Sequence, residues 1–272
     1  MNKKRTHIFV YISMFIFAAF MLYPFIWMIL SAFKSSLEII KVPPTFFPEK
    51  FTFEGFAKIL NETPFFLWLK NSLIVSVIGT IMTVLSSALG GYVFAKFEFK
   101  GKNILFLIIL ATMMLPFQVI MIPLYMITSK LHLLNTLWAL IIPGITSAFG
   151  IFLCKQHIEG IPNELMEAGR IDGCGEFGIF FRIIVPELRN ILSALAIFSF
   201  MGKWNDYVWP LIAINDMKKM TVPLALSFFS TQHGVEFNLV MAVTLLMMLP
   251  VVVVYLVFQK QFIEGLTMTG MK

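Results

Sequence analysis

Residues 161–186 read IPNELMEAGRIDGCGEFGIFFRIIVP and lie between two long apolar stretches. Pro162 suits the first turn of a helix, and the glutamates that follow it favour the positive end of the helix dipole. Gly173 and a second glycine two residues later end that helix. A second helical period then runs to Pro186. Its apolar residues are Phe177, Phe180, Phe181 and Ile184. The pattern predicts a short exposed helix, a glycine turn and a helix lying along a membrane surface, because the segment is too polar to cross one.

The composition indicates a membrane protein. Hydrophobic residues make up 58% of the 272 residues, charged residues make up 13%, and phenylalanine occurs 30 times. Soluble domains do not show this balance. The net charge of +6 is accounted for by basic loops that face anionic lipid. No basic and aromatic platform for RNA is present, so we expect a lipid bilayer and no nucleic acid as partner.

Apolar stretches of about 20 residues, the length that crosses the hydrocarbon of a bilayer, divide the chain. They predict an all-α membrane protein with one transmembrane domain, 1–272. The six predicted spans are 8–33, 71–95, 103–128, 134–154, 190–213 and 238–259. The first span follows basic residues as a signal peptide does. Its apolar core is too long for one and no small-x-small cleavage site ends it, so we expect a retained helix.

Basic residues predict the orientation of these spans. Six spans place both termini on one side, and the lysines and arginines on that side crowd the short loops and helix ends, where they most strongly favour the cytoplasm. The polar loop 160–188 lies on the same side. We therefore expect cytoplasmic N and C termini and a cytoplasmic loop 160–188.

Small residues follow one another along the second predicted span at spacings of three or four. They are Ser72, Ser76, Gly79, Thr83, Ser87 and Gly90. Such a row lets helices approach closely and predicts a packing face, either within one subunit or between subunits. Prolines such as Pro116 fall inside or near the ends of spans and predict kinks, which either shape the bundle or act as hinges.

Lys203 and Asp206 are the ionisable residues that interrupt a predicted span. They are three residues apart on one helical face, and each is costly inside a membrane unless it faces protein or a wet cavity. Together with Trp204, Asn205 and Tyr207 they form a stacking and hydrogen-bonding surface that suits a sugar. The alternative is a structural Lys-Asp pair that anchors one helix to its neighbours.

Catalytic and metal-binding patterns are missing from the sequence. The four histidines are scattered without metal-ligand spacing. Cys154 and Cys174 lack such spacing too, and a reducing compartment disfavours a disulfide between them. No G-x-x-x-x-G-K-[ST] motif is present to cradle ATP. We expect a transport subunit without catalytic residues, cofactor or metal, whose energy enters through a partner.

The polar loop resembles the EAA loop of bacterial ABC importer permeases, in which Glu-Ala-Ala is followed by Asp-Gly-Ala, a Phe and a Pro. The matching positions are Glu167, Ala168, Gly169, Asp172, Gly173, Cys174, Phe180 and Pro186. The chain departs from the pattern at Gly169 and Cys174, where the family has Ala, and at Asn190, where many members have a second Pro. Residues 204–211 (WNDYVWPL) and 262–267 (FIEGLT) further resemble the carbohydrate branch, the maltose-type sugar permeases.

This resemblance implies a multi-pass permease in the plasma (inner) membrane of a bacterium or archaeon, importing a sugar or oligosaccharide. It implies three partners: a second permease subunit, a cytoplasmic ATPase dimer and an extracellular sugar-binding protein. In the family, the EAA helix sits in a cleft of the ATPase, which gives Glu167, Ala168, Gly169, Asp172 and Gly173 the coupling role here. The tail Phe262–Lys272 is then expected to contact the ATPase, and the outer loop Ile214–Asn238 to contact the binding protein as a projecting lobe.

Two alternatives stay open at this point. Residues 160–188 also fit an ordinary amphipathic loop helix. A self-sufficient secondary transporter, with Lys203 and Asp206 as its ion-coupling pair, is a different class of function. Such carriers more often show paired halves and several intramembrane carboxylates, whereas one intramembrane carboxylate and no internal repeat are seen here.

Overall fold

The computed structural model describes the backbone of residues 3–229 and 236–268, with side chains at 8–227, 229 and 236–259. All regular structure within these residues is helical. Two compact units are formed. Unit 1 consists of Met1–Phe66 and Ala225–Pro250, and unit 2 of Leu67–Leu224 and Val251–Lys272.

The α-helices are numbered in chain order. They are α1 (Lys3–Ser31), α2 (Ser36–Ile39), α3 (Glu54–Glu62), α4 (Phe65–Lys96), α5 (Lys102–Thr112), α6 (Phe117–Lys130), α7 (Leu137–Ile141), α8 (Ala148–Glu159), α9 (Asn163–Ile171), α10 (Glu176–Ile179), α11 (Val185–Glu187), α12 (Arg189–Trp204), α13 (Val208–Ala213), α14 (Val222–Phe228) and α15 (Phe237–Met268). Ile142–Gly144 and Met217–Lys219 form 3-10 turns, and Phe180–Ile184 forms a π-helical turn.

Three of the described helices are long and apolar enough to cross a membrane. They are Ile8–Ser31 of α1, all of α4, and Phe237–Gln259 of α15. Three further pairs of helices reach the required length and hydropathy only when the two members are joined across a bend. The count is therefore three spans, or six if each bent pair is one span. The all-helical membrane fold expected from the sequence is confirmed.

The third predicted span, 103–128, is not one helix. It is divided into α5 and α6, which meet at 105°. Pro116 lies at the break and directly precedes α6. A proline donates no backbone hydrogen bond, and its ring would clash with the carbonyl four residues earlier. The 11 residues of α5 rise about 16 Å, which is shorter than the hydrocarbon layer of about 30 Å.

The fourth and fifth predicted spans are also interrupted. A bend of 40° separates Leu137–Gly144 from α8. The fifth, 190–213, consists of α12 and α13 with residues 205–207 between them. Asp206 Oδ1 accepts a hydrogen bond of 3.4 Å from the Trp209 amide and so caps α13, because a short polar side chain competes with the helical backbone for its own amides.

Unit 1 contains a polar cluster in the segment after α1. Lys34 is 1% exposed. Its ammonium donates to the Thr45 carbonyl and lies 4.7 Å from the centre of the Trp27 ring. The buried Glu38 carboxylate accepts hydrogen bonds from the Thr45 hydroxyl, at 2.9 Å, and from the Glu49 amide, at 2.8 Å. Two short helices, α2 and α3, lie in the segment between α1 and α4.

In unit 2, the row of small residues on α4 is a packing face within this chain. Ser76 and Ser87 are fully buried. A Cβ atom on Gly90 would lie 3.1 Å from Ile151 Cγ1 of α8, and one on Gly91 would lie 2.5 Å from Cys154 Cβ. The two helices can approach this closely only because α4 carries no side chain at these two positions.

The described first half of the outer loop packs against the beginning of α4. Trp68 Nε1 donates to the Met217 carbonyl at 2.7 Å, and Asn71 Nδ2 donates to the carbonyls of Lys218 and Met220, both at 2.9 Å. The Val222 amide donates to a hydroxyl of α4. The expectation of a projecting lobe is therefore wrong for residues 214–224, because α4 bonds the backbone of four of them, and the amides of Asn215 and Asp216 donate to Asn135 Oδ1.

Residues 230–235 of that loop and residues 269–272 of the tail lie outside the described residues. They include Thr231 and Gln232, the positions expected to approach a binding protein. The backbone of the tail Phe262–Lys272 is described as far as Met268.

Candidate coupling site and central cavity

The exposed helix expected after Pro162 is α9. Pro162 occupies the position before its first residue, with φ −57°, so the missing amide hydrogen costs nothing. Met166 and Gly169 are the buried residues of α9. Glu167 and Ala168 are exposed. Short helices are stable in proteins when one face packs. Here Met166 and Gly169 pack, and Glu167 and Ala168, which lie between them in the sequence, stay accessible.

Gly173 ends α9 in a left-handed conformation, with φ +80°. Its amide donates to the Arg170 carbonyl at 3.0 Å, and the amide of Cys174 donates to the Gly169 carbonyl at 2.9 Å. These two bonds form a Schellman motif, in which glycine avoids the cost of positive φ. No atom lies within 4 Å of a Cβ built on Gly173. A side chain at this position would therefore strain the backbone rather than fill the turn.

Gly169 brings α9 against the helix that follows the turn. A Cβ atom on Gly169 would lie 2.9 Å from Ile183 Cδ1 and 3.3 Å from Ile179 Cγ1. The family pattern has Ala here, so in this chain the departure permits a closer approach of the two segments. Gly169 therefore serves packing and is not part of an exposed surface.

The second half of the loop does not follow a regular helical period. Phe180 is 1% exposed, whereas Phe177 and Phe181 are 75% and 54% exposed. The amphipathic face expected from these phenylalanines is wrong, because the π-helical turn Phe180–Ile184 takes more residues per turn and changes the phase. The turn precedes Pro186, which is exposed and cannot donate a backbone hydrogen bond.

One hydrophobic cluster holds the loop to the ends of α4 and α8. Phe180 packs with its ring centre 5.7 Å from that of Tyr92. The buried members of the cluster are Ala88, Tyr92, Cys154, Ile158, Ile161, Met166, Ile179, Phe180, Ile184, Leu188 and Leu195. Phe180 thus contributes packing, and the loop is fixed to the helices behind it.

Polar contacts join the same elements. Arg170 Nε donates to Glu176 Oε1, and the Tyr92 hydroxyl donates to Glu176 Oε2, both at 2.9 Å. The Arg170 guanidinium holds the pKa of the Glu176 carboxyl below its usual range. At the other end of α9, Lys96 Nζ donates to the Ile161 carbonyl at 2.5 Å and to Asn163 Oδ1 at 2.9 Å.

The outer face of α9 is apolar at its centre and acidic around it. Ile171 is 86% exposed and Leu165 is 45% exposed, and Glu167, Ala168 and Asp172 are exposed beside them. We call these five residues the α9 surface. Exposed apolar side chains on a rigidly packed helix suit a protein partner. Leu165 and Ile171 were missed from the sequence, although their spacing relative to Ala168 places all three on one side of a helix.

Lys203 links three parts of unit 2. Its ammonium donates to the Gly144 carbonyl at 2.8 Å, and the Thr83 hydroxyl of α4 donates to the same carbonyl at 2.7 Å. A Cβ atom on Gly79 would lie 2.7 Å from Lys203 Cδ, so the lysine stem crosses α4 there. Among the described residues no carboxylate lies within 4.0 Å of the ammonium. The anchoring partner of Lys203 is thus a backbone carbonyl and not Asp206.

The neighbours of Lys203 do not all face open space. Trp204 is 1% exposed and stacks on Phe200, with ring centres 5.7 Å apart, so it offers no free face to a sugar. Asn205 Nδ2 donates to the Met201 carbonyl at 2.9 Å. Tyr207 is 37% exposed. Asn205 and Tyr207 are exposed, but of the residues expected to line a path it is Lys203 and Asp206 that line a cavity.

Lys203 lies where two cavities of unit 2 meet. One has a volume of about 360 Å³, with Asp206, Trp209 and Phe117 in its lining. The other has a volume of about 280 Å³ and is lined in part by Ser147 and Ser199. Apolar walls with a few polar groups are typical of small-molecule sites. The two cavities have room for a polyhydroxylated ligand.

Comparison with known proteins gives consistent matches. The model of the family described as "Binding-protein-dependent transport system inner membrane component" matches residues 83–267. The chain is 36% identical over 262 residues to the arabinooligosaccharides transport system permease protein AraQ of Halalkalibacterium halodurans, covering 95% of this chain and 94% of that protein. It is 36% identical over 267 residues to the lactose transport system permease protein LacG of Rhizobium radiobacter, covering 97% and 96%.

A solved structure shares the fold. It is a bacterial ABC transporter involved in the import of the acidic polysaccharide alginate, and one of its chains superposes with a TM-score of 0.83 at 22% sequence identity, covering 96% of this chain and 99% of that chain. The family model covers well over half of the sequence and includes both the polar loop 160–188 and α12. The chain therefore belongs to the family of inner membrane components of binding-protein-dependent transport systems.

Proposed function

We propose that the chain is the permease subunit of an ATP-driven importer and carries a sugar or oligosaccharide across the plasma membrane. The relatives AraQ and LacG are named as permeases for arabinooligosaccharides and lactose, which supports a carbohydrate as substrate. The cavities that meet at Lys203 support the same class of ligand, because their lining combines apolar walls with hydroxyl and charged groups.

The observation that carries the proposal is the α9 surface. Its exposed Ile171 and Ala168 lie on a helix that is packed firmly from behind. Such a surface suits docking into a cleft of a partner, and the resemblance to the EAA loop makes that partner a cytoplasmic ATPase dimer. In this role Glu167 and Asp172 form the acidic rim of the surface and Gly173 sets the shape of its end. ATP is then hydrolysed by the partner.

The complete importer contains further partners. A second permease subunit completes the translocation pathway, and an extracellular sugar-binding protein delivers the substrate. The coupling loop and both termini face the cytoplasm in this arrangement, consistent with the excess of basic residues in the short loops on that side.

Copurification and uptake test the proposal together. The tagged chain is expressed with its full set of partners, and we expect an ATPase to copurify with it and ATP-dependent uptake of arabinooligosaccharides or lactose. Ile171→Glu places a charge on the apolar centre of the α9 surface without disturbing the core, because Ile171 is 86% exposed. It should lower ATPase recovery and uptake by at least about tenfold, the effect of losing roughly 1.4 kcal/mol of binding.

A pair of matched charge reversals provides the control. Glu167→Arg lies on the α9 surface, whereas Glu98→Arg changes an equally charged, 88% exposed side chain after α4. The first should weaken ATPase recovery and the second should not, since an exposed ion pair contributes little. Uptake driven by an ion gradient in a preparation that contains no ATPase would instead support the secondary transporter.

A further inference from the structure

The end of α4 contacts the start of α9 directly and the end of α9 through Glu176, the first residue of α10. The two α4 residues responsible, Tyr92 and Lys96, are four positions apart and so lie on the same face of the helix. Lys96 reaches the start of α9 and Tyr92 reaches the turn that follows it. These contacts are polar and directional, in addition to the hydrophobic cluster beneath them.

The Lys96 contact fixes the beginning of α9. Its ammonium donates to the Ile161 carbonyl at 2.5 Å and to Asn163 Oδ1 at 2.9 Å. Asn163 is the first residue of α9. Hydrogen bonds from a charged donor are shorter and stronger than neutral ones. Moving the start of α9 away from α4 would break both of these bonds.

The Tyr92 contact fixes the end of α9 through an intermediate carboxylate. Glu176 accepts one hydrogen bond from the Tyr92 hydroxyl and one from Arg170 Nε, both at 2.9 Å. The Tyr92 ring is 4% exposed and packs at 5.3 Å from the ring centre of Phe97 and 5.7 Å from that of Phe180. Because its ring is held, the hydroxyl stays in place.

The same helix, α4, also reaches the two cavities that meet at Lys203. Gly79 and Thr83 of α4 contact Lys203 and Gly144, which line both cavities. The 17 positions from Gly79 to Lys96 within α4 correspond to about 26 Å of helix. One continuous helix therefore joins the coupling loop to the cavity, with polar contacts at each end.

We infer that Tyr92 and Lys96 are positioning residues that transmit a displacement of α9 to α4, and through α4 to the cavity at Lys203. This inference rests on the proposed function, in which an ATPase displaces α9. Both residues act through other groups and touch neither ATP nor sugar in this role. Their loss should uncouple hydrolysis from movement at the cavity while docking of the ATPase persists.

The experiment uses the purified complex with its ATPase. Spin labels at Val77 on α4 and Phe198 on α12, both surface-exposed, report the distance across the cavity before and after trapping with ATP and vanadate. Tyr92→Phe removes only the hydroxyl, and Lys96→Met removes only the ammonium. In the double variant we expect normal ATPase recovery and basal hydrolysis, loss of the distance change on trapping, and about tenfold lower uptake of arabinooligosaccharides or lactose.

Lys102→Met is the matched control, because Lys102 pairs with Glu98 and not with α9. A trapping-induced distance change of wild-type size in the double variant would overturn the inference. Loss of the ATPase from the double variant would also overturn it, since Tyr92 and Lys96 would then serve docking rather than transmission. If the unmodified chain itself recovers no ATPase, the proposed function fails, and that result is distinct from either outcome.

Discussion

At the scale of single residues, the motif positions of the coupling loop divide into two kinds. Glu167, Ala168 and Asp172 are exposed, whereas Gly169 and Phe180 are buried and hold the loop in place. A sequence motif records both kinds alike, because close packing and partner contact each restrict the residue type. Burial separates them and identifies which substitutions report on docking.

Gly173 and Gly175 allow backbone strain to be measured at one turn. Gly173→Ala should destabilise the folded chain by about 1–2 kcal/mol, the cost of left-handed backbone for a residue with a Cβ. Gly175 has φ −73° and open space around it, so Gly175→Ala adds no backbone strain and should cost less than Gly173→Ala. Thermal unfolding of the two variants in detergent checks this. Equal losses would show that the size of the side chain, and not φ, is decisive.

Lys203 and Gly79 are expected to show strong coupling in a double-mutant cycle. Gly79→Ala places a Cβ 2.7 Å from the lysine stem and should cost about 1–3 kcal/mol by overpacking. In a Lys203→Ala background the same change should cost little, because the stem is gone. The unfolding temperatures of the three variants measure the coupling. An equal cost of Gly79→Ala in both backgrounds would contradict the contact.

At the scale of elements, the sequence predicted the regular helices well and their interruptions poorly. α4, α9 and the turn after α9 follow from hydrophobic period, small-residue spacing and glycine. Pro116 was recognised as a kink, but the 105° angle between α5 and α6 depends on tertiary packing. The π-helical turn at Phe180–Ile184 likewise has no local signature, and Phe177 and Phe180, expected on one face, differ in burial.

The contacts of Lys203 and Trp204 were predicted only in part, because they too depend on tertiary packing. Lys203 was recognised as an unusual intramembrane charge, but its partner is the backbone carbonyl of Gly144. Every residue has a backbone carbonyl, so the sequence cannot single out that of Gly144. It indicates Asp206, the carboxylate three residues away, as the partner. The burial of Trp204 against Phe200 was missed because a tryptophan in a polar segment resembles a sugar-stacking residue equally well.

Asn71 is expected to hold the described half of the outer loop to α4. Its amide donates to the carbonyls of Lys218 and Met220. Asn71→Ala removes both bonds and leaves the buried Met220 carbonyl without this donor, at a cost of about 1–3 kcal/mol. The rate of maleimide labelling of Thr221→Cys, which is 3% exposed in the intact chain, should rise in this background. Asn205→Ala, which removes a bond to the nearby Met201 carbonyl, should leave that rate unchanged.

At the scale of the whole molecule, the orientation in the membrane can be tested with two cysteines. The native Cys154 and Cys174 are first replaced by alanine. Lys41→Cys and Glu167→Cys are both exposed positions on opposite predicted sides. In intact cells a membrane-impermeant maleimide should label only Lys41→Cys, and Glu167→Cys should react once the cells are permeabilised. The reverse pattern would place the coupling loop outside and exclude a cytoplasmic ATPase as its partner.

The contact between Gly169 and Ile183 has a consequence for how such chains diverge. A Cβ at position 169 would meet Ile183 Cδ1 at 2.9 Å, so alanine at 169 requires the end of the Ile183 side chain to move or a shorter residue to replace it. Among relatives, we expect these two positions to change together, with Gly opposite Ile and Ala opposite Val. An alignment in which the two positions vary independently would indicate that α9 moves as a whole to accommodate the added Cβ. Loops 160–188 exchanged between family members would then keep their internal packing.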